Sequence, residues 1–360
     1  MVLQFARRPP ASLIDPRSVS RFLFPVASER TMSSSPSKKL KVLVTRSDYL
    51  PSSIELLRQH FDVECWDNVN NGPLKKEKFL QLIKGKFGVY TSTSEPVDED
   101  VIAAGVPSLR VVSTMSVGVD HVCLQALKVN NVRLGYTPGV LTEATAELTV
   151  ALLLATSRRL MEAAANVKNG GWTSWSPQWL NGQGLHGSIV GIVGYGRIGH
   201  SIAVKLKGFS PKQILYTSRK EKPEGTEIGA TLTDLDTLLK RSDFVIVSIA
   251  LTPETKGIIS RSKIALMKEN AIFVNSGRGG LVDQDALVEA LQQKRILAAG
   301  LDVMTPEPLP LDHPLMKLDN VVLLPHIGSA SIKARGDMAQ LAAENIIAVF
   351  KGTSMPAEYL

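Results

Sequence analysis

The sequence predicts an α/β fold of two lobes, Rossmann-like or flavodoxin-like in winding, each with a parallel sheet. Three observations carry this. Short β-rich apolar runs alternate with helical stretches from Leu40 onward; the alternation comes in two series joined by one long helical stretch; and the second series opens on a glycine-rich turn. The chain has 360 residues, 44% of them hydrophobic and 21% charged, which is enough for two hydrophobic cores.

Taken in order, LKVLVT at 40–45 reads as a first buried strand, followed by a helix over 52–59, a strand over 63–66 and a helix over 75–83. A strand at 88–91, a helix at 98–104, a strand at 110–113, a helix at 121–129 and a strand at 133–136 complete the first series. One helix is then expected from Thr142, as N-cap, to Lys168, where Asn169-Gly170-Gly171 stops it. The second series has strands at 189–193, 214–217, 244–249, 271–275, 298–303 and 321–324, six runs in all, and the chain closes with a helix over 332–350.

The formal charge of +7 is concentrated at the start. Residues 1–39 carry seven basic side chains against Asp15 and Glu29, so the remainder is nearly neutral and offers no electrostatic footprint for nucleic acid. That Arg- and Ser-rich, acid-poor leader has the composition of a mitochondrial transit peptide, so the expected location is cytoplasm or mitochondrion. No apolar run approaches the ~18 residues of a membrane span. Cys65 and Cys123 are too few for a disulfide framework or a zinc site, so no metal is expected and a reducing compartment fits.

Gly194-Tyr195-Gly196-Arg197-Ile198-Gly199 follows a strand and opens a helix (200–207), the context in which GxGxxG binds a dinucleotide. Gly194 makes the tight turn, Gly196 lets backbone approach a pyrophosphate, and Gly199 lets helix and sheet pack closely. The next strand ends in Ser218, Arg219 and Lys220, with Lys222 beyond. A carboxylate there would hold the ribose hydroxyls of NADH; a hydroxyl and cations accept a 2′-phosphate, so NADPH is the expected cofactor and NADH the weaker one. The alternative is a solvated basic turn, since Glu221 and Glu224 are near.

Three later strand ends carry Arg278 in SGRGG, Glu307 in TPEP and His326 in PHIGS. Ligands of open α/β sheets bind outside the carboxyl ends of strands. There a histidine can protonate a developing alkoxide, a carboxylate can keep it charged, and a guanidinium can clamp a substrate carboxylate. The combination points to reduction of a 2-oxo acid. His121, beside Asp120, is the rival acid/base, with a structural role the stronger reading.

With NSGRGGLVD at 275–283, GLDVMTPEP at 300–308 and LPHIGSA at 324–330, the chain from Leu40 to its end resembles the D-isomer-specific 2-hydroxyacid dehydrogenase family. STMSVGVDHV at 113–122, GYTPGVLTEATAEL at 135–148, NGGWTSWSP at 169–177 and EPLPLDHPL at 307–315 liken it to an animal branch. The resemblance implies NADPH-dependent reduction of glyoxylate to glycolate and of hydroxypyruvate to D-glycerate. It implies His326 as acid/base, Glu307 as its partner and Arg278 as carboxylate ligand, with substrate contacts from the N–H groups of Val117 and Gly118. It also implies Ser276, Asp302 and Gly328 on the nicotinamide side, and the turn from Arg219 to Lys222 at the adenosine phosphate.

The implied organisation is a discontinuous substrate-binding domain, residues 40–140 and 326–360, around a cofactor domain, residues 141–325, preceded by an extension over 1–39, with a homodimer built on the cofactor domain. Trp175 is a candidate cap over the substrate, from the partner subunit; by spacing alone, Trp172, Trp175 and Trp179 suit packing or a dimer contact. Gly277 departs from the Ser or Ala usual before the arginine and is expected to loosen that loop. Rival readings are 3-phosphoglycerate dehydrogenase, against which stands the short chain after His326, and a dinucleotide-sensing corepressor.

Overall fold

A computed structural model describes residues 39–359. The expected transit peptide lies outside them. Alternating strands and helices begin at once, because short Val/Leu/Ile runs buried on both faces form parallel strands and need helical crossovers between them. The first series is β1 (Lys41–Val44), α1 (Pro51–His60), β2 (Asp62–Cys65), α2 (Asn68–Asn71), α3 (Lys76–Leu82), β3 (Gly88–Thr91), α4 (Glu99–Gly105), β4 (Val111–Thr114), α5 (Leu124–Val129) and β5 (Arg133–Gly135). Its strands pair in parallel in the order β2-β1-β3-β4-β5.

Helices α6 (Thr142–Ser157) and α7 (Leu160–Lys168) lead to the second series. This comprises β6 (Ile189–Val193), α8 (Arg197–Lys207), β7 (Gln213–Thr217), α9 (Pro223–Glu227), β8 (Thr231–Leu232), α10 (Leu235–Arg241), β9 (Phe244–Val247), α11 (Arg261–Ile264), β10 (Ile272–Asn275), α12 (Gln284–Gln292), β11 (Ala298–Leu301), β12 (Val321–Leu323) and α13 (Ile332–Phe350). The sheet order is β12-β11-β10-β9-β6-β7-β8, a doubly wound sheet whose winding reverses between β6 and β9. It has seven strands where six apolar runs were expected; β8 is two residues of half-exposed edge, too short to show a pattern.

Two further expectations are corrected. The long helix is broken: Arg159 adopts φ +52°, a left-handed residue that ends α6 and starts α7 in a new direction. Nor is Thr142 the N-cap; Leu141 holds that position with no side-chain cap, and Thr142 begins the helix. Likewise α5 starts at Leu124, leaving His121 in the preceding turn.

Helix α13 packs against α1 and the first sheet although that sheet is complete in sequence by Gly135. Ala334, Met338, Ala342 and Ile346 join Val42, Tyr90 and Val111 in one cluster, the small alanines letting the helix lie close to the strands. The buried Ser113 hydroxyl donates to the Ala342 carbonyl at 2.8 Å. Asn345, fully buried, donates to the Tyr136 carbonyl at 3.1 Å and accepts from the Ala357 N–H at 3.0 Å, tying helix, strand end and C-terminal tail together.

Replacing Asn345 with Leu strands both backbone groups at similar volume. Each buried unsatisfied group costs about 1–3 kcal/mol. Thermal denaturation of Asn345→Leu should show a Tm several degrees below the parent; an unchanged Tm would show that the tail and helix do not depend on this bridge.

Candidate active site

The glycine turn sits where the winding of the large sheet reverses. Gly194 follows β6 at φ +94°, and a Cβ there would lie 2.7 Å from the Ile249 Cα. A Cβ at Gly199 would lie 2.2 Å from the Gly194 carbonyl oxygen, so α8 packs directly onto the turn. Gly196 faces open space, with no atom within 4 Å of a would-be Cβ. The first turn of α8 carries no acidic residue and starts with the exposed Arg197, while Ile198 is part of the packing between both sheets' cores. An open glycine at a helix N-terminus without a carboxylate is a cradle for an anion. The residues present therefore fit a dinucleotide pyrophosphate.

Ser218, half-buried, and the exposed Arg219 and Lys220 follow β7, and among the described residues neither cation has an ion-pair partner. The turn they occupy is pinned from below: the Lys222 N–H donates to the buried Tyr216 hydroxyl at 3.0 Å.

The three catalytic candidates come from consecutive strand ends, and each loop has its own clasp. After β10, buried Asn275 accepts from the Gly277 N–H at 3.0 Å and donates to the Arg278 carbonyl at 2.9 Å. Asn275 thus braces the loop on both sides of Gly277. Ser276 accepts at 2.8 Å from Thr149 of α6. After β11, the side-chain amide of Gln284 pairs with both the N–H and the carbonyl of Thr305, at 2.9 and 2.6 Å, two residues before Glu307. After β12, His326 adopts φ +54°, a left-handed conformation that is strained for a residue with a Cβ. Asp302, 1% exposed, holds it there by accepting from the Ile327 and Gly328 N–H groups, each at 2.8 Å. Burial raises the Asp302 carboxyl above the usual range, against the pull of those N–H groups.

Glu307 Oε2 meets His326 Nδ1 at 2.8 Å, and Glu307 Oε1 accepts from the Met304 N–H at 2.9 Å. Burial pushes the Glu307 carboxyl up, but the bonds from His326 and Met304 and the charges of His326 and Arg278 outweigh it, so it stays below the usual carboxylate range. A carboxylate held ionised at Nδ1 orients the ring.

Arg278 reaches across to the loop after β4. Its Nε donates to Asp120 at 3.0 Å, its Nη1 to the Gly277 carbonyl at 3.0 Å, and its Nη2 lies so near Gly118 that a Cβ there would be 2.2 Å away. Among the described residues the N–H groups of Val117 and Gly118 have no acceptor. Two free peptide donors thus stand beside a fixed guanidinium, a carboxylate-binding arrangement. Asp120 was named in sequence only as the neighbour of His121; nothing in its spacing relates it to a residue 158 positions on.

His121 takes no part in this cluster's hydrogen bonds. Its Nε2 pairs with Thr114 Oγ1 at 2.9 Å, and its Nδ1 is buried without a partner. Trp175 is 79% exposed and belongs to none of the hydrophobic clusters, so within one chain it caps nothing.

Burial pushes His121 down to about 4, Asp120 opposing and Arg278 reinforcing the shift. The unfolded chain therefore takes up a proton near pH 6.5 that the folded chain refuses until about pH 4. Stability is full above pH 6.5 and falls as the pH drops through that window, by on the order of 3 kcal/mol. Melting curves of the parent and His121→Gln should converge as the pH is lowered from 7 to 4.5; a gap independent of pH would show that this imidazole is not buried neutral.

Residues 150–328 match the family described as D-isomer specific 2-hydroxyacid dehydrogenase, NAD binding domain. Among curated proteins, the chain is 48% identical over 325 residues to the glyoxylate reductase/hydroxypyruvate reductase of Mus musculus, covering 90% of this chain and 98% of that one. It is 44% identical to a glyoxylate reductase of Thermococcus onnurineus, over 88% of this chain and 95% of that one. Among solved structures it is similar to an NADPH-dependent glyoxylate/hydroxypyruvate reductase from Sinorhizobium meliloti in complex with NADP and malonate, with a TM-score of 0.77, 29% identity, and 89% and 97% of the two chains covered. No helix among the described residues is long and apolar enough to cross a membrane. The chain belongs to the D-isomer-specific 2-hydroxyacid dehydrogenase family and is an NAD(P)-dependent oxidoreductase.

Proposed function

We propose that this enzyme reduces glyoxylate to glycolate and hydroxypyruvate to D-glycerate, with NADPH preferred over NADH. The observation that carries the reading is the His326–Glu307 pair standing on the same sheet edge as Arg278, whose guanidinium lies against the free N–H groups of Val117 and Gly118. The substrate carboxylate binds Arg278 and those two N–H groups. The bound nicotinamide supplies the hydride. His326 gives its Nε2 proton to the oxygen of the carbonyl as it becomes an alkoxide, and Glu307 holds the ring through Nδ1 and offsets the charge that the ring carries. In the reverse direction the same ring takes the proton from the hydroxyl.

The turn of Gly194, Gly196, Arg197, Ile198 and Gly199 holds the pyrophosphate at the N-terminus of α8. Ser218, Arg219 and Lys220 read the 2′-phosphate, which the absence of any carboxylate on that turn's first three residues supports. Ser276, Asp302 and Gly328 shape the nicotinamide side, Asp302 and Gly328 through the clasp on the His326 loop. The domain division follows from this assignment: residues 40–140 with 326–360 bind substrate, and residues 141–325 bind cofactor.

The working unit is a homodimer. Helix α7 has no buried residue, yet Leu160, Met161 and Val167 are half or more exposed, next to the exposed Trp172 and Trp175. Such a surface is covered by a second copy of the chain, which brings Trp175 over the neighbouring active site.

Steady-state assays with both oxo acids and both cofactors test the scheme. His326→Gln is expected to lose about 10²–10⁴ in kcat, the usual contribution of a positioned acid. Activity surviving that change would show that a group other than His326 supplies the proton. The double variant Arg219→Ala/Lys220→Ala should raise KM for NADPH about tenfold or more while leaving NADH unaffected; equal use of the two cofactors by the parent would refute the 2′-phosphate reading. Trp175→Ala should alter the ratio of glyoxylate to hydroxypyruvate efficiency, and an unchanged ratio removes Trp175 from the site.

A further inference from the structure

We propose that Asp120 is the positioning residue for Arg278, locking its guanidinium against the Val117–Gly118 peptide so that the carboxylate site exists only when the loops of the two sheets meet. The proposal rests on the reading of Arg278 as the substrate-carboxylate ligand.

An arginine side chain has four flexible torsions, and a clamp needs its plane fixed before the ligand arrives. Arg278 is fixed at three points. Nε donates to both oxygens of Asp120, at 3.0 and 3.4 Å; Nη1 donates to its neighbour's carbonyl; Nη2 rests against Gly118, with its own N–H groups uncommitted. Two of these three restraints come from one short loop, Val117 to Asp120, which also supplies the free peptide donors. The loop is itself braced, since the Ser116 hydroxyl donates to the Gly118 carbonyl at 2.7 Å and to no distant group.

Asp120 and Arg278 make the one side-chain hydrogen-bonded contact, among the described residues, between residues 40–140 and residues 170–325. Their side chains are 25% and 20% exposed. A partly exposed ion pair contributes little to stability, whereas misplacing a reacting or binding group by an ångström costs about a hundredfold in rate. The pair therefore serves placement of the guanidinium more than cohesion of the fold.

The test is a double-mutant cycle on Asp120→Ala and Arg278→Ala, with Asp120→Asn and Asp120→Glu alongside. Kinetics with glyoxylate, binding of NADPH by fluorescence and thermal melting are read for each. Asp120→Ala should raise KM for glyoxylate about tenfold or more, with NADPH affinity within about twofold and Tm nearly unchanged; Asp120→Glu should recover part of the loss. In the Arg278→Ala background, removing Asp120 should lower kcat/KM no further, because it acts through the missing arginine. Losses that multiply, a glyoxylate KM within about twofold of the parent in Asp120→Ala, or an equal fall in NADPH affinity would each overturn the proposal. An Arg278→Ala enzyme with unaltered KM would sink the parent reading of Arg278; a crippled Arg278→Ala beside a normal Asp120→Ala would sink the positioning role alone. Should Asp120→Ala melt early, the near-isosteric Asp120→Asn supplies the same comparison in a folded protein.

Discussion

The grip of the buried Asp302 carboxylate on the peptide after His326 is the constraint on which the site turns. Two N–H groups at 2.8 Å hold the loop in a conformation that a side-chain-bearing residue does not choose unaided. The His326 N–H in turn donates to the Asp302 carbonyl at 2.9 Å. One residue at the end of β11 thus sets the backbone of the next strand's tip, and the imidazole leaves that backbone in a direction that meets Glu307. A carboxylate so deeply buried would be costly alone; two peptide donors offset that cost, and the left-handed turn is held in the bargain.

The other two loops are built on the same principle. A side-chain amide, that of Asn275 in one and Gln284 in the other, imitates a peptide partner and ties down backbone that has left the sheet. Sheets cannot extend such pairing past their ends, so amide and carboxylate side chains carry it outward by a residue or two. Each functional group therefore stands on a short, braced loop over a rigid strand, which is how a placement error is kept small where chemistry needs it small.

The two sheets contribute unlike things. The large sheet supplies the imidazole, its carboxylate, the guanidinium and the glycine cradle, all on one edge. From the small sheet come bare peptide donors and one acid, and α13 completes that sheet's core from the far end of the sequence. Because α13 begins six residues after His326, the helix that closes the small core is anchored next to the His326 loop. Helix α7 buries no residue in either core, and its Leu160, Met161 and Val167 stay exposed.

Local sequence determined most of the architecture. Apolar runs of four or five residues, separated by helical spacing and glycine stops, are set by steric and burial rules that act over a few residues, so β3, β6 and α13 are legible to their end residues. GxGxxG and the SGRGG, TPEP and PHIGS strand ends marked the candidate site in the same way. What sequence could not reveal depends on distance in space. The break at Arg159 needs a left-handed residue with no glycine to signal it; β8 owes its existence to the neighbouring β7 rather than to its own two residues. The bond from Asp120 to Arg278, the Asn345 bridge and the clasp on His326 join residues that only the folded sheets bring within 3 Å or so, and no spacing along a chain encodes a meeting of that kind.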